Sequence, residues 1–304
     1  MKYPRRLTLE QWDRFSRTTK PPKLITFDAY NTLYSTTLPV MDQYSRIGQK
    51  YGLEVSAEEL ASRFPKVFKD LRQQHPNYGK RTGITAREWW RLLISAVFAP
   101  IETPQAMIAE ILRVFDGFGA YTVYPDLLEL LEHIKEEHPD TILGVASNTD
   151  PIMYTLLKNI GLQTYFGNHI YLSYDLELSK PDPKFFDAIL QDVVHKNPEI
   201  LANSNLEDLK ASCWHIGDEE SNDLTGASAV GWNSVLIDRV DKYKHLSGTA
   251  DGVTRQVSEL YADKIDNHAA KSWETSLRQT DVVQLADREY VVANFNVLKK
   301  LLYS

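Results

Sequence analysis

The stretch LITFDAYNTLY, residues 24–34, decides the fold of this 304-residue chain. Its first four residues, LITF, are apolar or favour β-structure, and they predict a short strand that is buried on both faces. Asp28 follows at once, so a carboxylate stands at the carboxyl end of that strand. A charge at the end of a buried strand is costly unless it is partnered. We therefore expect this strand end to belong to a functional site.

The same pattern repeats along the chain, where short apolar runs alternate with helix-like segments. This alternation predicts parallel strands joined by helical crossovers, and hence an α/β fold with a doubly wound, Rossmann-like parallel sheet. The predicted strands are LITF (24–27), TILGVA (141–146), HIYLS (169–173), CWHIG (213–217) and NSVLID (233–238), and the predicted helices lie near 151–160, 183–195 and 222–230.

Residues 36–120 interrupt this alternation, because their pattern is mostly helical and rich in aromatic residues. We predict a helical cap domain inserted after the first strand, with residues 1–35 and 121–304 forming the core. Residues 241–288 are polar and charged, and we predict an irregular excursion there rather than a separate domain. Residues 289–302 then predict a last short strand followed by an amphipathic helix.

The middle of the insert carries a helix-start signal. Thr85 and Glu88 have the spacing of a capping box, in which each side chain satisfies a main-chain N–H of the first turn. Trp89 and Trp90 follow directly. Either both belong to the hydrophobic core of the insert, or one of them faces the active site as part of a lid.

Composition limits the classes of function. The formal net charge of −7 argues against a general binder of nucleic acids or anionic membranes. Cys213 is the single cysteine, which excludes an intrachain disulfide and a Cys-based zinc site and fits a reducing compartment. No apolar run approaches the roughly 20 residues that span a bilayer. Residues 1–20 lack the apolar core of a secretory signal, and we expect them to form a helix on the domain. The expected location is cytoplasmic or nuclear, with the mitochondrion as the alternative.

Polar side chains stand where the predicted parallel strands end. In open parallel sheets, ligands bind at the carboxyl ends of the strands, so these side chains are expected to converge. Carboxylates that lie close together are costly unless a cation neutralises them. The converging residues are Asp28 after the first strand, Ser147 and Asn148 after the second, Lys180 in LSKPDP after the third, and Asp218 and Asp223 in IGDEESND after the fourth.

The motifs DAYNT (28–32), SN (147–148), KPDP (180–183) and GDEESND (217–223), in this order, resemble the haloacid dehalogenase superfamily of hydrolases, subfamily I. In that subfamily a helical cap is inserted after the first motif. The similarity covers about residues 22–240. The insert segment HPNYG…GITAREWW also resembles the eukaryotic group called haloacid dehalogenase-like hydrolase domain-containing protein 3.

The resemblance implies catalytic roles. Asp28 would be the nucleophile that attacks a phosphoryl group or a halogenated carbon and forms a covalent intermediate, which water then opens. Ser147 would donate its hydroxyl and Asn148 an N–H to the transferring group, and Lys180 would neutralise the nucleophile and the developing negative charge. The helix that starts near Pro151 points its N-terminus the same way, which favours anions. The implied substrate is a small, phosphorylated anion.

The resemblance also implies a magnesium site. Asp28 and Asp218 would hold Mg²⁺, with the main-chain carbonyl of Tyr30 as a third ligand, because Mg²⁺ prefers hard oxygen ligands. Asp223 would be a supporting partner or an alternate ligand, or else only a favourable charge at a helix N-terminus. His215, on the predicted strand before Asp218, is expected to be a satisfied core residue.

Tyr30 departs from the pattern of the phosphatases of this superfamily, which carry a second aspartate two residues after the nucleophile. Tyrosine has a reference pKa near 10 and is a poor base at neutral pH. Three interpretations follow. The chain is a magnesium-dependent phosphohydrolase that is slow, is restricted to good leaving groups or receives an acid from the cap; or it is a non-enzymatic ligand- or partner-binding protein; or it is a metal-independent 2-haloacid dehalogenase, a group that resembles DAYNT closely and has tyrosine at this place. We favour them in that order.

Overall fold

A computed structural model describes residues 4–8, 10–12, 21–202, 205–240, 242–243, 246, 274 and 276–303. Most of the strands in this part of the chain belong to one central sheet, and helices follow most of its parallel strands. The strands are β1 (Arg5–Leu7), β2 (Leu24–Phe27), β3 (Tyr34–Thr36), β4 (Tyr121–Val123), β5 (Ile142–Ser147), β6 (Ile170–Leu172), β7 (Cys213–Gly217), β8 (Asn233–Ile237), β9 (Val282–Ala286) and β10 (Glu289–Val292).

The helices are numbered here in chain order. They are α1 (Val40–Lys50), α2 (Ala57–Gln74), α3 (Ala86–Phe98), α4 (Gln105–Phe115), α5 (Pro125–Glu137), α6 (Ile152–Asn159), α7 (Gln163–Phe166), α8 (Ser173–Leu176), α9 (Pro183–Lys196), α10 (Leu206–Lys210), α11 (Gly226–Ser228) and α12 (Phe295–Tyr303). Short 3₁₀ turns cover Lys80–Thr82 and Pro198–Leu201, and a π-helical turn covers Glu220–Thr225. Within the described ranges, no helix combines the length and the apolar composition that crossing a bilayer requires.

The central sheet has eight strands in the order β1-β9-β10-β8-β7-β2-β5-β6. The run from β10 to β6 is parallel throughout, while β9 and β1 add antiparallel strands at one edge. The chain leaves β2 for β5 on one side and later places β7 on the other side of β2. The carboxyl end of β2 is therefore a topological switch point, where ligands bind in sheets of this kind. The predicted doubly wound α/β fold is confirmed.

The strands and helices predicted from apolar runs are found close to their expected positions. LITF and CWHIG form β2 and β7 with the predicted bounds, and every residue of both strands is buried. The predicted helix near 183–195 is α9, with Asp182 as its N-cap accepting a hydrogen bond from the Lys184 N–H. These segments carry a strong signal because both faces of the sheet are covered, so the apolar runs are continuous.

Three local predictions have separate outcomes. A helix was expected within residues 1–20: Arg5–Leu7 form β1 at the sheet edge, residues 10–12 are helical, and residues 13–20 lie outside the described part of the chain. The excursion at 241–288 was expected to be irregular, but it contains β9, whose Val282 pairs with Leu7. The helix expected near 222–230 is found, and it consists of the π-helical turn Glu220–Thr225 continued by the short α11. β1 and β9 are three and five residues long, too short for a periodic signal, and each is stabilised by pairing with a distant partner.

Helices α1 to α4 lie between β3 and β4, which pair as an antiparallel ribbon separate from the main sheet. These helices share a hydrophobic cluster of their own, built around the fully buried side chains of Leu60, Trp89 and Met107. Helix α3 begins as predicted, because Thr85 Oγ1 accepts a hydrogen bond from the Glu88 N–H at 3.1 Å. The division into a core and a cap at residues 36 and 120 stays a prediction, and the separate cluster favours it.

Candidate active site

Asp28 is fixed by the end of β2. Its N–H donates to the carbonyl of Ile216 at 2.8 Å, so pairing with β7 continues to the residue that carries the carboxylate. The chain then turns through Asn31, which has a φ of 59°, and the Asn31 N–H donates to the Tyr34 carbonyl at 2.7 Å. Asparagine tolerates this left-handed conformation better than most residues. The turn sends the chain into β3 and leaves the Asp28 carboxylate at the sheet edge.

Lys180 is the central cation of the site. Its ammonium nitrogen lies 2.6 Å from Asp28 Oδ1 and 2.5 Å from Asp223 Oδ1, and its side chain is only 2% exposed. Burial by itself would lower the pKa of Lys180, but the carboxylates of Asp223 and Asp28 outweigh it and raise that pKa. The lysine therefore stays charged and joins segments of the chain that are far apart in sequence.

Asn148 positions the segment that carries Lys180. Its side-chain amide donates to the Lys180 carbonyl at 2.9 Å, and its Oδ1 accepts from the Lys180 N–H at 2.8 Å. These two bonds fix the side chain, so the N–H donation to substrate predicted for Asn148 would come from its main chain or from the second N–H of the amide. Ser147, the last residue of β5, is 6% exposed and lines the same cavity as Asp28.

Asp223 is a buried partner of Lys180 rather than a surface charge at a helix N-terminus. Its Oδ1 also lies 3.0 Å from His215 Nε2, and its Oδ2 accepts from the Glu219 N–H at 2.9 Å. Lys180 and His215 outweigh the burial of Asp223, so its pKa is lowered. A Cβ at Gly217 would lie 2.1 Å from Asp223 Cγ, which explains the glycine at the end of β7. His215 is buried as predicted, and it also contributes a bond to the site.

Three carboxylates converge around this lysine. Oxygen atoms of Asp28, Asp218 and Asp223 lie within 4.8 Å of one another. Burial and the neighbouring carboxylates raise the pKa of Asp218 well above its usual value, and burial raises the pKa of Asp28 against the opposing effect of Lys180. With Lys180 charged and all three acids ionised, the cluster carries −2, and its donors are the hard oxygen atoms that Mg²⁺ prefers. The donor set and the charge both fit a divalent cation.

Tyr243 braces the loop that carries Asp218. Its hydroxyl donates to the Asp218 carbonyl at 2.8 Å and accepts from the Glu220 N–H at 3.0 Å. Its own N–H donates to Asp238 Oδ2 at 2.7 Å, which ties it to the end of β8. Tyr243 was not predicted from the sequence, because it lies in the polar excursion. The aspartate that ends the apolar run NSVLID was the only signal close to it.

A cavity of about 670 Å³ opens between the sheet edge and the helical insert. Asp28, Tyr30 and Asp218 line it from the core. Tyr30, two positions after Asp28, therefore lines the same cavity as the nucleophile candidate.

Of the two adjacent tryptophans, Trp89 belongs to the core of the insert and Trp90 faces the cavity. Trp89 is fully buried in the insert, and its indole N–H donates to the His75 carbonyl at 3.1 Å. Trp90 lines the cavity instead, and its indole N–H donates to Asp150 Oδ2 at 2.8 Å. Asp150 Oδ1 also accepts from the Ile152 N–H at 2.8 Å, so the first turn of α6, expected to favour an external anion, already holds a carboxylate of the chain.

Comparisons with known proteins identify the family of this chain. A sequence model of the haloacid dehalogenase-like hydrolases matches residues 22–231. The chain belongs to this family. It is 50% identical to the uncharacterized protein YMR130W of Saccharomyces cerevisiae over 301 residues, which cover 99% of each chain. It is 29% identical to haloacid dehalogenase-like hydrolase domain-containing protein 3 of Bos taurus over 222 residues, which cover 71% of this chain and 81% of that one. The resemblance noted in the sequence is confirmed.

Solved structures share the fold at low sequence identity. L-2-haloacid dehalogenase from Xanthobacter autotrophicus is 14% identical with a TM-score of 0.54, covering 92% of this chain and 98% of that one. A HAD phosphatase from Thermococcus onnurineus is 20% identical with a TM-score of 0.50 and the same coverage. The fold therefore occurs with both chemistries, and the choice between them depends on the residues of the site.

Proposed function

We propose that this hydrolase is a magnesium-dependent phosphohydrolase that acts through Asp28 as a nucleophile on small phosphorylated anions. The observation that carries the proposal is the buried cluster in which Lys180 bonds Asp28 and Asp223 while Asp218 completes a group of carboxylates within 4.8 Å. A nucleophile held by a buried ion pair at a rigid strand end is oriented before the substrate arrives.

The proposed reaction uses both oxygens of Asp28. We assign the attack to Oδ2, because Oδ1 accepts the hydrogen bond from Lys180. The new bond joins Oδ2 to phosphorus as the bond from phosphorus to the leaving oxygen breaks, and water then attacks the aspartyl phosphate, releasing phosphate and regenerating the carboxylate. Lys180 neutralises charge at the nucleophile, and Ser147 and an N–H of Asn148 donate to the phosphoryl oxygens.

Asp28 and Asp218 would hold the magnesium ion, with the main-chain carbonyl of Tyr30 as a third ligand and Asp223 in support or as an alternate ligand. When bound, the ion would neutralise the clustered carboxylates and the charge of the phosphoryl oxygens. We propose a cytoplasmic or nuclear location, with the mitochondrion as the alternative, and no role in binding nucleic acids or membranes.

The direct test is turnover of p-nitrophenyl phosphate with magnesium and with EDTA. We expect turnover that EDTA removes and that Asp28→Asn abolishes, because the amide oxygen is a poor nucleophile. Asp70→Asn is the matched control, since Asp70 pairs with the exposed Lys66 on the insert surface. Turnover by Asp28→Asn at the wild-type rate would contradict the assignment of the nucleophile.

Tyr30 favours a second candidate, a 2-haloacid dehalogenase. Halide leaves without a proton, so the missing second aspartate would not matter. Release of chloride from 2-chloropropionate in EDTA, together with no turnover of the phosphate ester, would support this candidate. Retention of a ligand or partner with turnover in neither assay would support a non-enzymatic binding protein.

A further inference from the structure

Tyr78 and Trp90 form an aromatic wall on the insert side of the cavity. Their rings stack with centroids 6.2 Å apart and an interplanar angle of 28°, and both side chains are partly exposed and line the cavity that contains Asp28. Phe68 packs behind Trp90 at 6.5 Å. The wall therefore offers aromatic surface to whatever occupies the space beside the nucleophile candidate.

Hydrogen bonds to the loop after β5 hold this wall in place. The Tyr78 hydroxyl donates to the Asn148 carbonyl at 3.2 Å, and the Trp90 indole donates to Asp150 at 2.8 Å. Asn77 and Tyr78 both adopt positive φ, of 50° and 53°, which is unusual for residues other than glycine. Such strain is maintained only where the surroundings enforce it, and it clusters at ligand sites. Both rings are thus anchored to the segment that contains Asn148, which itself positions Lys180.

The residue at position 30 limits the leaving groups that the site can release. Tyr30 has no carboxyl group, so the position two residues after the nucleophile supplies no carboxylic acid to protonate the leaving oxygen. A phenol has a pKa near 10, as the tyrosine side chain does, so it can leave as a phenolate without being protonated. An alcohol whose pKa is close to that of water, about 15.7, must be protonated as it leaves. Apart from the cluster of Asp28, Asp218 and Asp223, the described carboxylates that line the cavity accept bonds from nitrogen donors: Asp116 from Arg87, Asp150 from Trp90 and Ile152, Glu177 from Lys80, and Glu219 from Asn222.

We infer that the substrates are aryl phosphates, whose ring lies against Tyr78 and Trp90 while the phosphate meets Asp28. This inference rests on the proposed phosphohydrolase function and adds the class of the leaving group. The aromatic wall binds the ring of the substrate. Because position 30 has no carboxyl group to protonate the leaving oxygen, the leaving group must depart as an anion, and a phenolate can do so.

The test compares three esters that separate the ring from the leaving group. Phenyl phosphate has the ring and a phenol leaving group, benzyl phosphate has the ring and an alcohol leaving group, and acetyl phosphate has a good leaving group without a ring. With magnesium, we expect kcat/KM for benzyl phosphate to be at least a hundredfold below that for phenyl phosphate, because a positioned acid is worth about 10²–10⁴ in rate. We expect Trp90→Leu to lower kcat/KM about tenfold for phenyl phosphate and much less for acetyl phosphate.

Phe118→Leu is the matched control, since Phe118 is 57% exposed and lies outside the cavity lining, and it should leave all three values unchanged. A measurement without variants is inhibition of acetyl phosphate turnover, where phenylphosphonate should bind about tenfold tighter than methylphosphonate.

The outcomes separate the two proposals. Benzyl phosphate turned over as fast as phenyl phosphate would overturn the inference, because an acid would then be present. Equal inhibition by the two phosphonates, or an unchanged phenyl-to-acetyl ratio in a folded Trp90→Leu protein, would also overturn it while leaving the phosphohydrolase function intact. Magnesium-dependent turnover of none of the three esters would overturn the proposed function, and the inference with it.

Discussion

Replacing Lys180 with methionine removes the only cation in direct contact with the carboxylate cluster among the described residues. The side chain is 2% exposed and its ammonium nitrogen makes bonds of 2.6 and 2.5 Å to Asp28 and Asp223. Methionine keeps most of the volume, so the change is chiefly one of charge. Breaking a buried ion pair by removing one partner costs about 3–5 kcal/mol. We expect a loss of about 3 kcal/mol, because protonation of the acids limits the penalty.

The loss should depend on pH in a defined direction. In the folded protein the pKa values of Asp28 and Asp218 are raised, and replacing Lys180 removes the main interaction that opposes the effect of burial on the pKa of Asp28. Between the ordinary value, near 3.9, and the raised values, the folded state binds more protons than the unfolded chain, so the free energy of unfolding falls as pH rises. The destabilisation of Lys180→Met is therefore expected to be larger at pH 8 than at pH 5.5.

The assay is urea unfolding in EDTA, followed by tryptophan fluorescence. Lys66→Met is the matched control, because Lys66 and Asp70 form an ion pair whose side chains are 81% and 45% exposed. Surface pairs of this kind contribute about 0.2–1 kcal/mol, so the control should lose less than about 1 kcal/mol. A loss below about 1 kcal/mol for Lys180→Met, or an equal loss at both pH values, would refute the claim that Lys180 compensates buried negative charge.

Other measurements test separate parts of the structure. Magnesium should raise the Tm of the wild-type protein and do so much less for Asp218→Asn, with the exposed Glu207→Gln as control; equal shifts in all three would contradict the metal site. Tyr30→Asp should raise the turnover of phosphate esters with poor leaving groups at least tenfold, and an unchanged rate in a folded variant would show that the missing acid is not limiting. Arg239→Met should cost about 3–5 kcal/mol in urea unfolding, because Arg239 forms a buried two-bond pair with Asp126; a loss under about 1 kcal/mol would contradict this.

The sheet and the meeting of the acidic groups could be predicted from sequence for the same physical reason. Strands covered on both faces must be apolar throughout, so β2 and β7 stand out as LITF and CWHIG. Parallel strands share the direction of their carboxyl ends, so Asp28 and Asp218 were expected at one edge although 190 positions separate them. No side-chain coordinates are needed for that conclusion. Lys180 was expected at the same edge from its position after the third strand, and it lies in contact with Asp28 and Asp223.

What could not be predicted depends on packing between distant segments. β1 is a short edge strand that pairs with the short strand β9 across more than 270 positions, and neither has a pattern of its own. The bond between Trp90 and Asp150 depends on how the insert sits against the sheet, which local periodicity does not encode. Tyr243 reaches Asp218 through a connection that reads as an irregular polar loop.

The charge balance of the cluster is the strongest physical reason to prefer a metal-dependent reaction over a metal-free one. Lys180 contacts Asp28 and Asp223, and the pKa of Asp218 is raised because burial and the other acids outweigh the opposing effect of Lys242. A site that works without a cation would gain stability if Asp218 were replaced by a neutral residue. A site that binds Mg²⁺ needs that carboxylate as a ligand. The bound ion offsets the repulsion among the carboxylates and so stabilises the folded protein. In EDTA, Asp218→Asn should therefore be at least as stable as the wild type, whereas in magnesium the wild type should be the more stable protein. If the variant were less stable in EDTA by more than about 1 kcal/mol, Asp218 would have a structural role and the charge argument would fail.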